Sequence, residues 1–261
     1  EGASIVAEVG EGVTGLAPGD HVLTSFVSMC GRCRYCQTGR PQLCDQGAKT
    51  LVTLPGGELR TQDAEGKPLN IFSGCGSMSQ YQTLHQDNLV KIDPDVPLDR
   101  AALIGCGVMT GFGAAANTAR VEAGSRAVVF GAGGVGLSAI QGCVVCGASQ
   151  VVAVDTSEAK LEFARQMGAT HTIDASKEEN VVKALRKITE GGVDYAFECV
   201  GHGEIAEQAY GSLAKGGTAV IVGVAPLAHK TSVRTASLTF EEKTLTGSYF
   251  GSARPRQDFP R

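Results

Sequence analysis

No apolar run in the 261-residue chain approaches the roughly 18 residues that a membrane-crossing helix needs. An excess of basic charge is also missing: 23 Lys and Arg stand against 27 Asp and Glu, the formal charge is −4, and the cations are dispersed. Nucleic acids and acidic membranes are recognised by clustered positive charge, so neither is expected as a partner and a small molecule is. The opening residues Glu1-Gly2-Ala3-Ser4-Ile5 include no initiator Met, no basic stretch and no apolar stretch of a secretory signal. The chain is therefore expected to start inside a longer protein, and the loop-like stretch 253–261 to be cut short in the same way. Internal repeats and low-complexity segments are absent. A disulfide framework is disfavoured too, because the nine cysteines are odd in number and four of them fall between Cys30 and Cys44. That crowding suits metal ligation in a reducing compartment, with the cytoplasm as the expected location.

What is present suits a globular protein of two lobes, with 43% apolar and 19% charged residues. Residues 1–107 hold short strand-like runs, such as 4–9 and 21–26, separated by turn residues like Pro18-Gly19-Asp20. From Arg126 the pattern changes to β-branched runs alternating with helical stretches, as expected of a parallel sheet built from βαβ units. Strands are predicted over 127–130, 151–154, 170–173, 193–197, 219–222 and 245–249, six in all, enough for a full dinucleotide-binding sheet. One intervening helix is predicted over 157–167, with Ser157 as its cap and Gly168 as its stop.

Gly131-Ala132-Gly133-Gly134-Val135-Gly136 follows the apolar run 127–130 and opens a helical stretch. In that setting Gly131 permits a tight turn, Gly133 lets backbone approach a pyrophosphate and Gly136 lets helix and sheet pack closely, while the helix N-terminus favours an anion. Alone, such a turn is as readily structural as functional. Asp155 alters the balance: at the end of the next strand its carboxylate can accept bonds from adenosine ribose hydroxyls and would repel a 2′-phosphate, so NAD is favoured over NADP. Taken singly, Asp155 could equally cap a helix.

The run Cys30-Gly31-Arg32-Cys33-Arg34-Tyr35-Cys36, followed by Cys44, places four thiols in one short loop. Four sulfurs suit tetrahedral zinc, and four protein ligands leave no open position, so such a site is structural. Independent core cysteines fit poorly because Arg32, Arg34, Gln37 and Arg40 between them are polar. An iron–sulfur cluster is the other candidate, although the Cys-Pro that ends ferredoxin runs is missing.

The order of these elements, a CxxCxxC-x7-C lobe, then Gly105-Cys106-Gly107, then the glycine turn with Asp155 behind it, closely resembles the zinc-containing alcohol dehydrogenases of the medium-chain dehydrogenase/reductase family. Further matches run along the chain, at Ser79-Gln80-Tyr81, Gly192-Val193-Asp194 and Ile221-Val222-Gly223-Val224 among others. The resemblance implies a partial, mainly β GroES-like catalytic domain over 1–107 with a zinc lobe at about 28–48. It implies an α/β Rossmann domain, a doubly wound six-stranded parallel sheet, over 108–250, and the start of a return segment over 251–261. It implies structural zinc on Cys30, Cys33, Cys36 and Cys44, and catalytic zinc with Cys106 as one ligand. Glu1 matches the Glu of a Gly-His-Glu motif, which would place the other two ligands before it. Thr110 is expected on the nicotinamide side, Val135 under the cofactor beside Gly134, Lys160 near the adenosine ribose, and Val222, Gly223 and Val224 by the carboxamide. A lone cysteine is otherwise most often a small buried residue, and the two valines could simply pack in a sheet. Cys75, Cys143, Cys146, Cys199 and the five histidines match no ligand position.

The activity implied is hydride transfer between a primary or secondary alcohol and NAD with zinc as Lewis acid. The partners implied are the alcohol or aldehyde and further copies of the chain, as dimer or tetramer. A glutathione- or mycothiol-dependent formaldehyde dehydrogenase is the alternative enzyme, because the long loop 45–74 resembles that of the larger classes. The glutathione-using class places an Arg soon after the fourth cysteine, where this chain has only Lys49. A zinc-stabilised NAD-binding protein without turnover would show the same motifs. The 261-residue chain by itself is expected to bind about one zinc, to keep some NAD affinity and to oxidise no alcohol.

Overall fold

The computed structural model describes residues 1–49, 53, 59 and 61–261. Two units divide the chain: Glu1–Met109 with Ala253–Arg261, and Thr110–Ser252. Part of the loop 45–74 lies outside the described residues; Lys49 is described and exposed.

The strands of the first unit are short: β1 (Ala3–Ile5), β2 (His21–Thr24), β3 (Thr61–Gln62), β4 (Pro68–Leu69) and β5 (Leu89–Lys91). β1, β2 and β5 form an antiparallel sheet in that order, and β3 pairs with β4. Val22 and Leu23 are buried at its centre, whereas the run predicted over 4–9 leaves the sheet after Ile5. Backbone bonds from Val6 to Asp20 and from Gly19 to Val6 continue the pairing into the Pro18-Gly19-Asp20 turn. Asp20 ties that turn down, accepting from the Ala17 N–H at 2.9 Å and pairing with Lys91 Nζ at 2.6 Å. Helices here are single turns: α1 (Arg34–Gln37), α2 (Asp45–Lys49), α3 (Leu98–Ala101) and a closing turn Pro255–Asp258.

α4 (Gly107–Gly113) leads into the second unit, and a π-helical turn, Ala114–Ala119, follows and ends at Arg120 in the left-handed conformation. The strands are β6 (Arg126–Phe130), β7 (Gln150–Asp155), β8 (His171–Asp174), β9 (Val193–Glu198), β10 (Leu213–Ile221) and β11 (Thr244–Gly247). They form one parallel sheet in the order β11-β10-β9-β6-β7-β8. All six predicted strands exist. β10 begins earlier than predicted because a bulge between Leu213 and Thr218 carries it past Gly216-Gly217, and β11 stops at Gly247 rather than at Tyr249.

The helices of this unit are α5 (Gly134–Val145), α6 (Glu158–Gln166), α7 (Val181–Ile188), α8 (Gly203–Gly211) and α9 (Thr235–Phe240). Two apolar clusters occur, one joining Ile140, Cys143, Leu161 and Ala164 to Val129 and Phe197, the other joining Leu185, Ala209 and Tyr210 to Val128 and Phe130. A sheet covered on both faces needs apolar residues at successive positions, which is why 127–130 reads as an unbroken apolar run. Each buried Phe or Leu there stabilises the sheet by roughly 1.5–3 kcal/mol. Ser157 occupies the predicted cap position of α6, but its hydroxyl makes no capping bond; its N–H instead donates to Asp155 Oδ1 at 3.0 Å. Among the described residues no single helix is long and apolar enough to cross a membrane.

Candidate functional site

In the first unit the structure gathers Cys30, Cys33, Cys36 and Cys44, with all four sulfurs within 4.8 Å of one another. The Sγ atoms of Cys33 and Cys44 are 3.8 Å apart, close to the edge of a tetrahedron whose centre lies about 2.3 Å from each corner. Gly31 turns the chain at φ 72°, and Cys33 stands at the N-cap of α1 so that Cys36 comes back one helical turn later. The N–H of Cys30 donates to Cys44 Sγ at 3.4 Å and that of Cys33 to Cys30 Sγ at 3.3 Å, so backbone dipoles already favour negative sulfur. The four thiols do not share that benefit equally. The Cys36 N–H lowers the Cys33 thiol to about 6, whereas burial pushes Cys36 and Cys44 above the ordinary thiol value. A divalent cation is the group that would stabilise four gathered thiolates together. Zinc fits this donor set.

Glu1 lies against the two glycines that flank Cys106. The N–H of Gly107 donates to Glu1 Oε1 at 2.8 Å, and a Cβ on Gly105 would overlap the Thr24 carbonyl oxygen. Small residues on each side of Cys106 thus let strand β2 and the first residue close around it. Among the described residues the four-cysteine lobe is the one place where three or more metal-binding side chains gather; Cys106 stands outside it.

In the second unit the glycine turn sits between β6 and α5. Gly131 takes φ 91°, and its N–H donates to the Val154 carbonyl at 2.7 Å, so the chain reverses immediately after the strand. A Cβ on Gly136 would overlap the Gly131 carbonyl oxygen, which is why the helix lies so close to the strand. Gly133 and Gly134 behave oppositely: a Cβ at either would meet nothing within 4 Å. Two glycines close the turn and two leave it open to solvent. That open backbone, at the N-terminus of a twelve-residue helix, fits a pyrophosphate.

Asp155 ends β7 beside this turn. Its Oδ2 accepts from the Ala132 N–H at 2.8 Å, its Oδ1 from the Ser157 N–H, and Lys160 Nζ lies 4.0 Å away. The carboxyl therefore serves the turn and is positioned by it. Val135 packs against the core, and its carbonyl faces Gly111, where a Cβ would overlap it; Thr110, half-buried, precedes that contact. Val222 is buried just beyond β10, the Gly223 N–H donates to the Glu198 carbonyl at 2.9 Å, and Val224 is 91% exposed. The histidines stay structural where their bonds are seen: His85 and His202 each accept a backbone N–H at the start of a helical turn.

Residues 1–94 match the family model of the alcohol dehydrogenase GroES-like domain, and residues 134–261 match that of the zinc-binding dehydrogenases. The chain is 38% identical over 265 residues to the S-(hydroxymethyl)glutathione dehydrogenase of Saccharomyces cerevisiae, covering 99% of this chain and 68% of the relative. It is 39% identical over 264 residues to the alcohol dehydrogenase class-3 of Pisum sativum, covering 100% and 70%. This chain belongs to the zinc-containing alcohol dehydrogenases of the medium-chain family. The crystal structure of benzyl alcohol dehydrogenase from Acinetobacter calcoaceticus resembles it with a TM-score of 0.89 at 37% identity, over 100% of this chain and 70% of that one. As an alcohol dehydrogenase of this family it is a zinc- and NAD-dependent oxidoreductase.

One residue of this alcohol dehydrogenase escaped the sequence reading. Glu198, at the end of β9, is completely buried beside the glycine turn. The available signal was an acidic residue inside the apolar run Ala196-Phe197-Glu198-Cys199-Val200, since a carboxyl in such a place needs internal hydrogen bonds.

Proposed function

We propose that the chain binds NAD on the glycine turn, holds a structural zinc on Cys30, Cys33, Cys36 and Cys44, and offers Cys106, with Glu1 beside it, to the catalytic zinc of an enzyme oxidising primary or secondary alcohols. The observation that carries the NAD reading is the turn itself, closed by Gly131 and Gly136 and open at Gly133 and Gly134. Bound there, NAD supplies the hydride acceptor. Each Asp155 oxygen accepts one backbone N–H, so lone pairs remain for the adenosine ribose hydroxyls, while its charge opposes a 2′-phosphate. Lys160 flanks the same ribose. Thr110 and Val135 line the nicotinamide side, and Val222, Gly223 and Val224 meet the carboxamide. In this reading residues 1–107 are the catalytic domain, 108–250 the Rossmann domain and 251–261 a returning segment. The enzyme works in the cytoplasm, where its thiols stay reduced, as a homo-oligomer, dimer or tetramer, with neither nucleic acid nor membrane as partner.

A fluorescence titration tests this: NADH should saturate the chain and NADPH should bind at least tenfold more weakly. Absent or equal binding of the two refutes the assignment. A thiol adduct is the second reading for the substrate, favoured by the S-(hydroxymethyl)glutathione dehydrogenase at 38% identity. NADH formation from ethanol, benzyl alcohol and S-(hydroxymethyl)glutathione, compared as kcat/KM, decides between them.

A further inference from the structure

From the hydrogen bonding around one buried carboxyl we infer that Glu198 is a positioning residue for the dinucleotide, a clamp that holds the loops after β9 and β10 against the glycine turn. This rests on the NAD reading above.

The strand order places β6 next to β9, with the chain winding outward to either side, so the C-terminal ends of these two strands flank the switch point at which open α/β sheets bind ligands. Glu198 is the last residue of β9 and pairs across to Phe130 on one side and Ile221 on the other. Its carbonyl accepts the N–H groups of Val222 and Gly223, both at 2.9 Å. Its side-chain Oε1 accepts those of Val200 at 2.8 Å and Gly201 at 2.7 Å, with His202 at 3.4 Å. One residue thus takes up backbone donors from two loops.

Those loops leave no slack. A Cβ on Gly223 would overlap the Gly201 nitrogen and come within 2.8 Å of Glu198 Oε2, and one on Gly201 would come within 2.7 Å of the Val224 carbonyl oxygen. Val200 in turn reaches the phosphate turn, since a Cβ on Gly131 would meet Val200 Cγ2 at 2.8 Å. Carboxyl, Val200 and Gly131 therefore form one packed line. A shift of the 200–202 loop would be passed to the glycine turn by contact. Burying an acidic side chain completely is costly unless its hydrogen bonds repay the desolvation. An apolar residue at 198 could fill the space but would leave the Val200 and Gly201 N–H groups without this acceptor, so the carboxyl is tied to the loop after β9 and not only to the sheet.

Reach, rather than charge, is what the clamp requires. Glu198→Gln keeps the length and an acceptor oxygen, whereas Glu198→Asp keeps the acid but is one methylene too short for the Val200 and Gly201 N–H groups. Fluorescence titration of the full chain with NADH should show Glu198→Gln within about threefold of wild type and Glu198→Asp weakened tenfold or more, with zinc content unchanged in both. The conservative rescue by Gln separates positioning from charge. Equal NADH affinity in all three proteins, or equal weakening of Gln and Asp, overturns the clamp while the NAD reading survives. No NADH binding by wild type overturns both. Amide hydrogen exchange on the wild-type chain gives a check that does not depend on Glu198→Asp folding. The Val200 and Gly201 amides should be protected like those of β9, and exchange at the rate of exposed loop amides overturns the clamp.

Discussion

The four-cysteine lobe and the glycine turn both place backbone around a binding site, yet they are held in shape by different means. The lobe rests on single-turn helices, and α1 buries none of its residues. Its internal order comes from sulfur acceptors and from what binds them. The glycine turn is anchored by strands whose side chains are buried on both faces, and its positions are fixed by backbone-to-backbone contact. One site depends on ligand chemistry for its stability, the other on the packing of the fold. Lesions in the two should therefore be separable.

Loss of metal is the largest expected effect. Cys44→Ser should remove the structural zinc altogether, because three thiols and a hydroxyl do not reproduce a closed four-sulfur site. Metal analysis by mass spectrometry should show one zinc fewer per chain, with NADH affinity within about twofold of wild type. Parallel loss of NADH binding would break the comparison. Acidification should act in the same direction. Burial raises the Cys36 and Cys44 thiols, so zinc binding must displace protons, and retention measured by dialysis at stepped pH should fall as pH falls.

The reciprocal lesion is Gly136→Ala. Its Cβ would overlap the Gly131 carbonyl oxygen, an overpacking that should cost about 3 kcal/mol in urea unfolding and abolish NADH binding. Zinc content should stay at the wild-type value, and a loss of zinc here would show that the lobe borrows stability from the sheet.

A smaller and more selective change is expected from Asp155→Gly. With the carboxyl gone, the preference for NADH over NADPH should shrink about tenfold, equivalent to about 1.4 kcal/mol. Because Asp155 also accepts the Ala132 N–H, some loss for both cofactors is expected, so the ratio of the two dissociation constants is the informative quantity. An unchanged ratio would remove Asp155 from the ribose.

The smallest effect belongs to a surface pair, exposed Lys177 and half-buried Asp174, remote in role from either site. Lys177 Nζ lies 2.6 Å from Asp174 and holds its carboxyl down at about 2. A depressed carboxyl favours folding above its unfolded pKa, and that contribution is lost as pH falls toward about 2. Lys177→Met should raise the Asp174 midpoint in an NMR titration, leaving zinc content and NADH affinity unchanged.

Much of this was legible beforehand because the signals are local. The spacing of Cys30, Cys33, Cys36 and Cys44 determines a metal lobe, since one helical turn and one short loop are enough to converge the sulfurs. The six parallel strands are equally local, as a sheet covered on both faces must read as apolar runs. What stayed hidden depends on contacts between distant segments. Ser157 carries a cap's identity but not its bond: its hydroxyl accepts no helix N–H, while its own N–H donates to Asp155 two residues earlier. The early start of β10 follows from its pairing with β9 on both sides of the bulge at Gly216-Gly217, whose glycines locally read as a break. Glu1 reaches the two glycines that flank Cys106 only when strand β2 closes on Gly105. The same holds for Glu198. Its type and position are plain in the chain, but a buried carboxyl acquires its role only from the N–H groups that folding brings to it, and here they come from loops following two different strands.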